Sequence, residues 1–185
     1  MDENTKQLIL EAQQANREAF HQLVAQHDER IMTLALQLTK NRQDAEDLYQ
    51  DVFLKAFRKI HQFRFESEFY TWLYRITVNT AYNLSRKRSR IQVADPRSGD
   101  ERDPLTLIPG DDRTDDHATE IMQQVRKALQ ELPKQQQIVF ILKHLQNLKI
   151  KDIAAIMGIS DGTVKKYLFR AVEKLRAQLK EIRYA

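Results

Sequence analysis

The stretch "IKDIAAIMGISDGTVKKYLFRAVEKLR", residues 150–176, decides how this chain folds. Ile153, Ala154 and Met157 would share the inner face of a short helix. Gly158 supplies a turn with positive φ, and Ile159 points back toward the core. Ser160 or Asp161 caps a second helix, along which Val164, Leu168, Ala171 and Leu175 recur at helical spacing. The small Ala154 lets the two helices approach closely at a steep angle. This is the helix-turn-helix arrangement. Burying Val164, Leu168 and Ala171 leaves Thr163, Lys165, Lys166, Phe169 and Arg170 facing outward. These residues carry positive charge for phosphates and donors for base edges in a major groove. An exposed Phe169 has no use on a merely solvated helix, whereas contact with a thymine methyl would account for it. A basic helix after a glycine turn is nevertheless common, so the charge of the surrounding region has to decide.

Residues 121–185 hold thirteen basic and five acidic side chains, net +8. A domain so charged gains affinity for nucleic acid by neutralising phosphates, which tips the reading to DNA. The overall charge of +4 hides this, because residues 92–120 carry nine acidic and three basic groups, net −6. Three of the four prolines and two of the four glycines also fall in that stretch. A loop of this length inside one compact domain is uncommon. Abundant Leu, Ala, Gln, Lys and Arg with little glycine favour helix over strand. The expected fold is therefore all-α, with two small helical domains, 1–91 and 121–185, joined by a flexible acidic linker over 92–120.

The N-terminal unit presents two motifs. "QDAEDLYQDVFLKAFRKIH", residues 43–61, reads as an amphipathic helix with Ala45, Leu48, Tyr49, Val52, Phe53, Ala56, Phe57 and Ile60 as its apolar stripe. Asp44, Asp47 and Asp51 fall on its wet side with Gln50, near the helix N-terminus where the macrodipole favours acids. A divalent-metal site on those three aspartates lacks a histidine or a second ligand helix. Then "FRFESEFYTWLYRITVNTAYNLSRKRSR", residues 63–90, interleaves seven aromatics with arginine and lysine. Trp72, Leu73, Ile76 and Ala81 suit a plain core. The same pattern also suits single-stranded nucleic acid, whose bases stack on rings while cations follow the backbone. From the residues alone both readings stand.

Both halves resemble one family, the bacterial RNA polymerase sigma factors of the extracytoplasmic-function (ECF) group. The matching text is "DAEDLYQDVFLKAFRKI", "FYTWLYRITVNTAYN" and "ELPKQQQIVFILKHLQNLKIKDIAAIMGISDGTVKKYLFRAVEKLR", with "REAFHQLVAQHDERIMTLALQLTKN" before them. The resemblance implies a promoter-specificity subunit that binds core RNA polymerase, recognises minus-35 and minus-10 elements and promotes melting. It implies that Asp47, Gln50 and Asp51 dock on the β′ clamp helices, with the β subunit as a further contact. Arg64, Phe65, Phe69, Trp72, Arg75, Asn79, Arg86, Lys87 and Arg88 would hold the melted minus-10 strand, Asn79 helping to hold an unstacked base. Thr163, Lys165, Lys166, Phe169 and Arg170 would read the minus-35 duplex. An anti-sigma partner is also implied. Phe65 departs from the family, which often has glycine there, and Lys166 and Tyr167 replace small or arginine residues.

Neither cofactor nor metal is expected, and no enzymatic activity. No Ser/His/Asp set or phosphate loop stands out, and the five histidines are scattered. The absence of cysteine removes thiolate metal sites and disulfides. The acidic start "MDENTKQLIL" is unlike a signal peptide, and no apolar run reaches a bilayer span, so cytoplasmic placement without membrane insertion is expected. Two rivals remain. A stand-alone helix-turn-helix regulator leaves the N-terminal unit without a role. A metal-dependent nuclease would use Asp44, Asp47 and Asp51.

Overall fold

The computed structural model describes residues 1–39, 41–94, 125 and 127–183, with side chains described to Ser85 in the first unit and Gln178 in the second. Among these residues there is no strand, as expected of an all-α chain. The chain divides into two units, Met1–Leu107 and Ile108–Ala185. The linker expected over 92–120 lies outside the described residues except for 92–94, which continue a helix.

The first unit is built from α1 (Glu3–Gln13), α2 (Arg17–Leu38), α3 (Arg42–Lys59), a 3-10 turn (Ile60–Gln62) and α4 (Phe69–Ala94). Side-chain caps start the first three helices. The Thr5 N–H donates to Asp2 at 2.8 Å, the Glu18 N–H to Asn16 at 3.0 Å and the Asp44 N–H to Asn41 at 2.8 Å. Each cap satisfies a backbone donor that has no partner in the first turn of a helix. α2 packs against α1, α3 and α4, and α3 packs against α4. Ile9, Leu23, Ile31, Leu34, Leu48, Val52 and Leu73 are fully buried between them. Burying such a side chain contributes about 1.5–3 kcal/mol. Gln13 secures the far end of this core, its amide donating to the Ile60 carbonyl at 3.0 Å and the Phe63 carbonyl at 2.8 Å.

The second unit comprises the helical residues 127–130 (α5), α6 (Lys134–Phe140), a π-helical turn (Ile141–Leu145), α7 (Ile150–Met157) and α8 (Asp161–Arg183). Pro133 fixes the entry to α6. Asn147, at φ 52°, reverses the chain after the π turn, and the Lys143 ammonium donates to the Leu148 carbonyl at 3.2 Å. α8 packs on both α6 and α7. Ala128, Leu129, Leu132, Ala171 and Leu175 form one core cluster, against which Val125 and Phe140 are partly buried.

Candidate functional site

The helix-turn-helix is present in the second unit. Gly158 ends α7 at φ 65°, and the Ile159 N–H reaches back to the Ala154 carbonyl at 3.1 Å, a Schellman closure. Of the two candidate caps, Ser160 is the one used. Its Oγ accepts from the Thr163 N–H at 3.2 Å and lies 2.9 Å from the Thr163 hydroxyl. Ile153 and Ala154 are buried as expected, but Ile156 takes the inner place assigned to Met157, which is half-buried. Val164 and Ala171 are buried, and Leu168 only partly. On the outer face of α8, Lys165, Lys166 and Arg170 are exposed, Phe169 is 69% exposed, and Thr163 is half-buried. The Tyr167 hydroxyl faces another way, donating to Gln135 at 2.7 Å, and so fastens α8 to α6.

α3 carries the acidic strip. Asp47 and Gln50 are exposed, and Asp51 is half-buried beside Lys55 at 3.3 Å. Asp44 does not join them. It is buried, and its carboxylate accepts from the Asn41 amide at 3.0 Å while Asn41 caps its own N–H. Its place in the first turn of α3 folds it back onto the Asn41 side chain, which therefore holds both its N–H and its carboxylate. The nuclease triad is thereby broken, and no group of three His, Asp or Glu side chains among the described residues is placed to hold a metal. Sequence reasoning missed Leu54, which is 55% exposed on the same side of the helix as Gln50 and Asp51. An apolar residue out of step with Val52, Phe53 and Ala56 was the available signal. Phe57, expected in the buried stripe, is 38% exposed and meets Phe20 edge-on at 5.1 Å. Tyr49 sits between the two faces and donates its hydroxyl to Asp28 on α2. Burial first, and that hydrogen bond to the carboxylate second, push its pKa up to about 12, so it remains a donor.

The aromatic segment divides into core and surface. Phe63 and Phe69 are buried, and Trp72 is half-buried, with Phe63 5.6 Å from Phe69 and 5.5 Å from Trp72 between ring centres. Phe69, expected at the minus-10 strand, is only 2% exposed, so its ring belongs to the floor and offers no free face to a base. It was misplaced because the first turn of α4 points it inward against His27 of α2, 5.4 Å away. Phe65 instead stays 39% exposed, its ring edge-on to Phe63 at 5.1 Å. Its backbone lies at φ 58°, in the left-handed region that a bulky residue seldom adopts. This conformation explains why glycine suits position 65. Arg64, Arg75 and Asn79 are exposed on the loop and on α4. Arg86, Lys87 and Arg88 lie on α4, but their side chains are outside those described.

Two family models match this chain: sigma-70 region 2 over residues 23–91 and sigma-70 region 4 over residues 122–175. The RNA polymerase sigma-H factor of Pseudomonas aeruginosa is 32% identical, over 97% of this chain and 96% of its own length. The chain belongs to the ECF sigma factors. The ECF sigma-E factor of Haemophilus influenzae is also 32% identical, covering 95% of each chain. That of Escherichia coli K12 is 31% identical over 92% of each. Among solved structures, the sigma factor RpoE of Bartonella quintana, crystallised with the anti-sigma factor NepR, superposes with a TM-score of 0.73 at 30% identity. The match covers 87% of this chain and 96% of that one. CnrH, solved with the cytosolic domain of CnrY, shares the fold at TM-score 0.70 and 24% identity, covering 97% and 99%. This sigma factor is accordingly a promoter-specificity subunit of RNA polymerase, acting in transcription initiation through DNA binding.

Proposed function

We propose that three faces of this sigma factor divide the work of initiation. Asp47, Gln50 and Asp51 on α3, with Leu54 continuing the strip, dock on the β′ clamp helices of core polymerase. An acidic face on a DNA-binding protein repels the duplex and selects a basic partner. Phe65, Trp72 and Asn79, with Arg64, Arg75 and the Arg86–Lys87–Arg88 run, hold the melted minus-10 strand over the floor made by Phe63 and Phe69. Lys165, Lys166, Phe169 and Arg170 enter the minus-35 major groove, and Thr163 contacts a phosphate at the start of α8. On this reading residues 1–91 and 121–185 are the two working domains, 92–120 joins them, and no residue performs covalent chemistry. An anti-sigma factor, of the kind bound to the Bartonella relative, holds the protein inactive by covering these faces.

One observation carries the reading: α3 and α4 pack together in one unit yet present opposite chemistry, acidic on one and aromatic-cationic beside the other. A duplex-only regulator has no need of either. The test is capture of bacterial core polymerase by the purified chain, followed by transcription from a random promoter library. A recurrent two-block promoter is expected, with Asp51→Arg losing polymerase and Asn79→Ala losing permanganate reactivity of minus-10 thymines but not closed-complex formation. Lys165→Ala with Arg170→Ala should weaken minus-35 duplex binding alone. Duplex binding without polymerase capture would return the chain to a helix-turn-helix regulator. Among the described residues no helix is long and apolar enough to cross a membrane.

A further inference from the structure

α1 lies outside the residues that match sigma-70 region 2, 23–91, and has no part in the three faces described above. Its last residue nevertheless reaches the loop that carries Arg64 and Phe65. Gln13 is half-buried, and its side-chain amide donates to the Ile60 carbonyl at 3.0 Å and to the Phe63 carbonyl at 2.8 Å. The Ile60 carbonyl also accepts from the Phe63 N–H at 3.0 Å, so there Gln13 joins a turn that is already closed. The Phe63 carbonyl matters more, because it shares a rigid peptide plane with the N–H of Arg64. Pinning that oxygen fixes ψ of Phe63, at 120°, and with it the direction in which the loop leaves the turn. Two residues later Phe65 stands at φ 58°, a conformation that a bulky residue does not hold unaided. The platform under Gln13 is itself firm. Ala12 is buried, the Ala15 N–H donates to its carbonyl at 3.1 Å, and the Asn16 N–H donates to the Glu11 carbonyl at 3.1 Å.

We propose that Gln13 is a positioning residue of the minus-10 site, acting through the Phe63 peptide to hold Arg64 and Phe65 ready for a base. The melted strand then meets a loop already set, and no binding energy goes into ordering it. Without the amide the Phe63–Arg64 peptide is free to turn, and the base-holding arrangement becomes one of several. Affinity for the base then falls by the fraction of molecules that retain the arrangement. The inference rests on the assignment of the Phe65 loop to DNA given above. It brings α1 into a site otherwise built from α4 and the loop before it.

The test uses the full chain assembled with core polymerase and, as an oligonucleotide, the minus-10 non-template strand of the promoter recovered from the library. Single abasic positions first locate the base that Phe65 holds, whose removal weakens binding by the wild type but not by Phe65→Ala. The ratio of affinities, intact strand over this abasic strand, then reads the loop. Gln13→Met keeps the length of the side chain and removes both donors, and Gln13→Glu faces the two carbonyls with acceptors only. Each is expected to lower the ratio roughly fivefold or more, the effect of one lost hydrogen bond of ordinary strength on the held state. Affinity for the abasic strand should stay the same. Gln13→Lys, whose ammonium can donate to the same carbonyls, should restore part of the ratio. A merely structural role lowers the folded fraction, which scales both affinities alike and leaves the ratio unmoved. A wild-type ratio in whichever of the Met and Glu variants folds therefore overturns the positioning role, whatever happens to the urea midpoint. If no base depends on Phe65, the loop does not hold DNA, and that assignment and the role of Gln13 fall together.

Discussion

Replacing Phe65 with alanine and, separately, with glycine tests the strained loop and the DNA-holding surface together. Both substitutions delete the ring and its edge contact with Phe63, 5.1 Å away. That shared loss is about 0.5–1.5 kcal/mol for an aromatic pair. The two variants differ in what they do to a backbone held at φ 58°. Alanine retains the left-handed penalty of about 1–2 kcal/mol for an L-residue. Glycine removes the penalty but returns about 0.4–1 kcal/mol through the greater freedom of its unfolded chain. The glycine variant should therefore be more stable than the alanine variant by about 0.5–1 kcal/mol, the reverse of the order in a helix or strand. Urea unfolding followed by the fluorescence of Trp72, the single tryptophan and a neighbour of Phe63, reads this unit directly. An alanine variant as stable as the glycine variant would refute the left-handed strain. Both variants should also bind melted minus-10 DNA about 5- to 150-fold more weakly, since stacking is worth about 1–3 kcal/mol per base. Unchanged DNA affinity in both would remove Phe65 from the site.

The pH dependence of stability should trace to His27. Both of its ring nitrogens are buried without a hydrogen-bond partner, and burial first, then Arg30, holds its pKa below the ordinary 6.5. The unfolded chain takes up this proton before the folded one does. Stability is thus full above pH 6.5 and falls as pH drops from there toward the folded value. Urea midpoints between pH 5 and 8 should show this slope, and His27→Phe should flatten it. At Gly158 an added Cβ meets nothing within 4 Å, so Gly158→Ala suffers only its φ of 65°. The loss should be about 1 kcal/mol by thermal unfolding of the full chain. Asn41→Ala removes the cap of α3, with an expected loss of about 1 kcal/mol in urea, and Asn41→Ser should recover most of it.

Periodicity and turn chemistry determined much of this protein before any contact was known. Helical spacing in residues 43–61 and 150–176, and a glycine where φ must be positive, sufficed for the all-α class, the helix-turn-helix and the exposed face of Phe169. Local signals of this kind report which side of an element is apolar, because the helix repeat is fixed by the backbone. They do not report what lies opposite that side. Asp44 looked like a surface acid until the Asn41 cap drew it inward. Phe69 looked equally fit for core or base stacking until His27 and Phe63 closed over it. The left-handed backbone of Phe65 and the exposure of Leu54 likewise depend on how α3 lies against α4 and the preceding loop. Tertiary packing settled these, since burial and hydrogen bonding are properties of two surfaces meeting, and a single strand of sequence shows only one of them at a time.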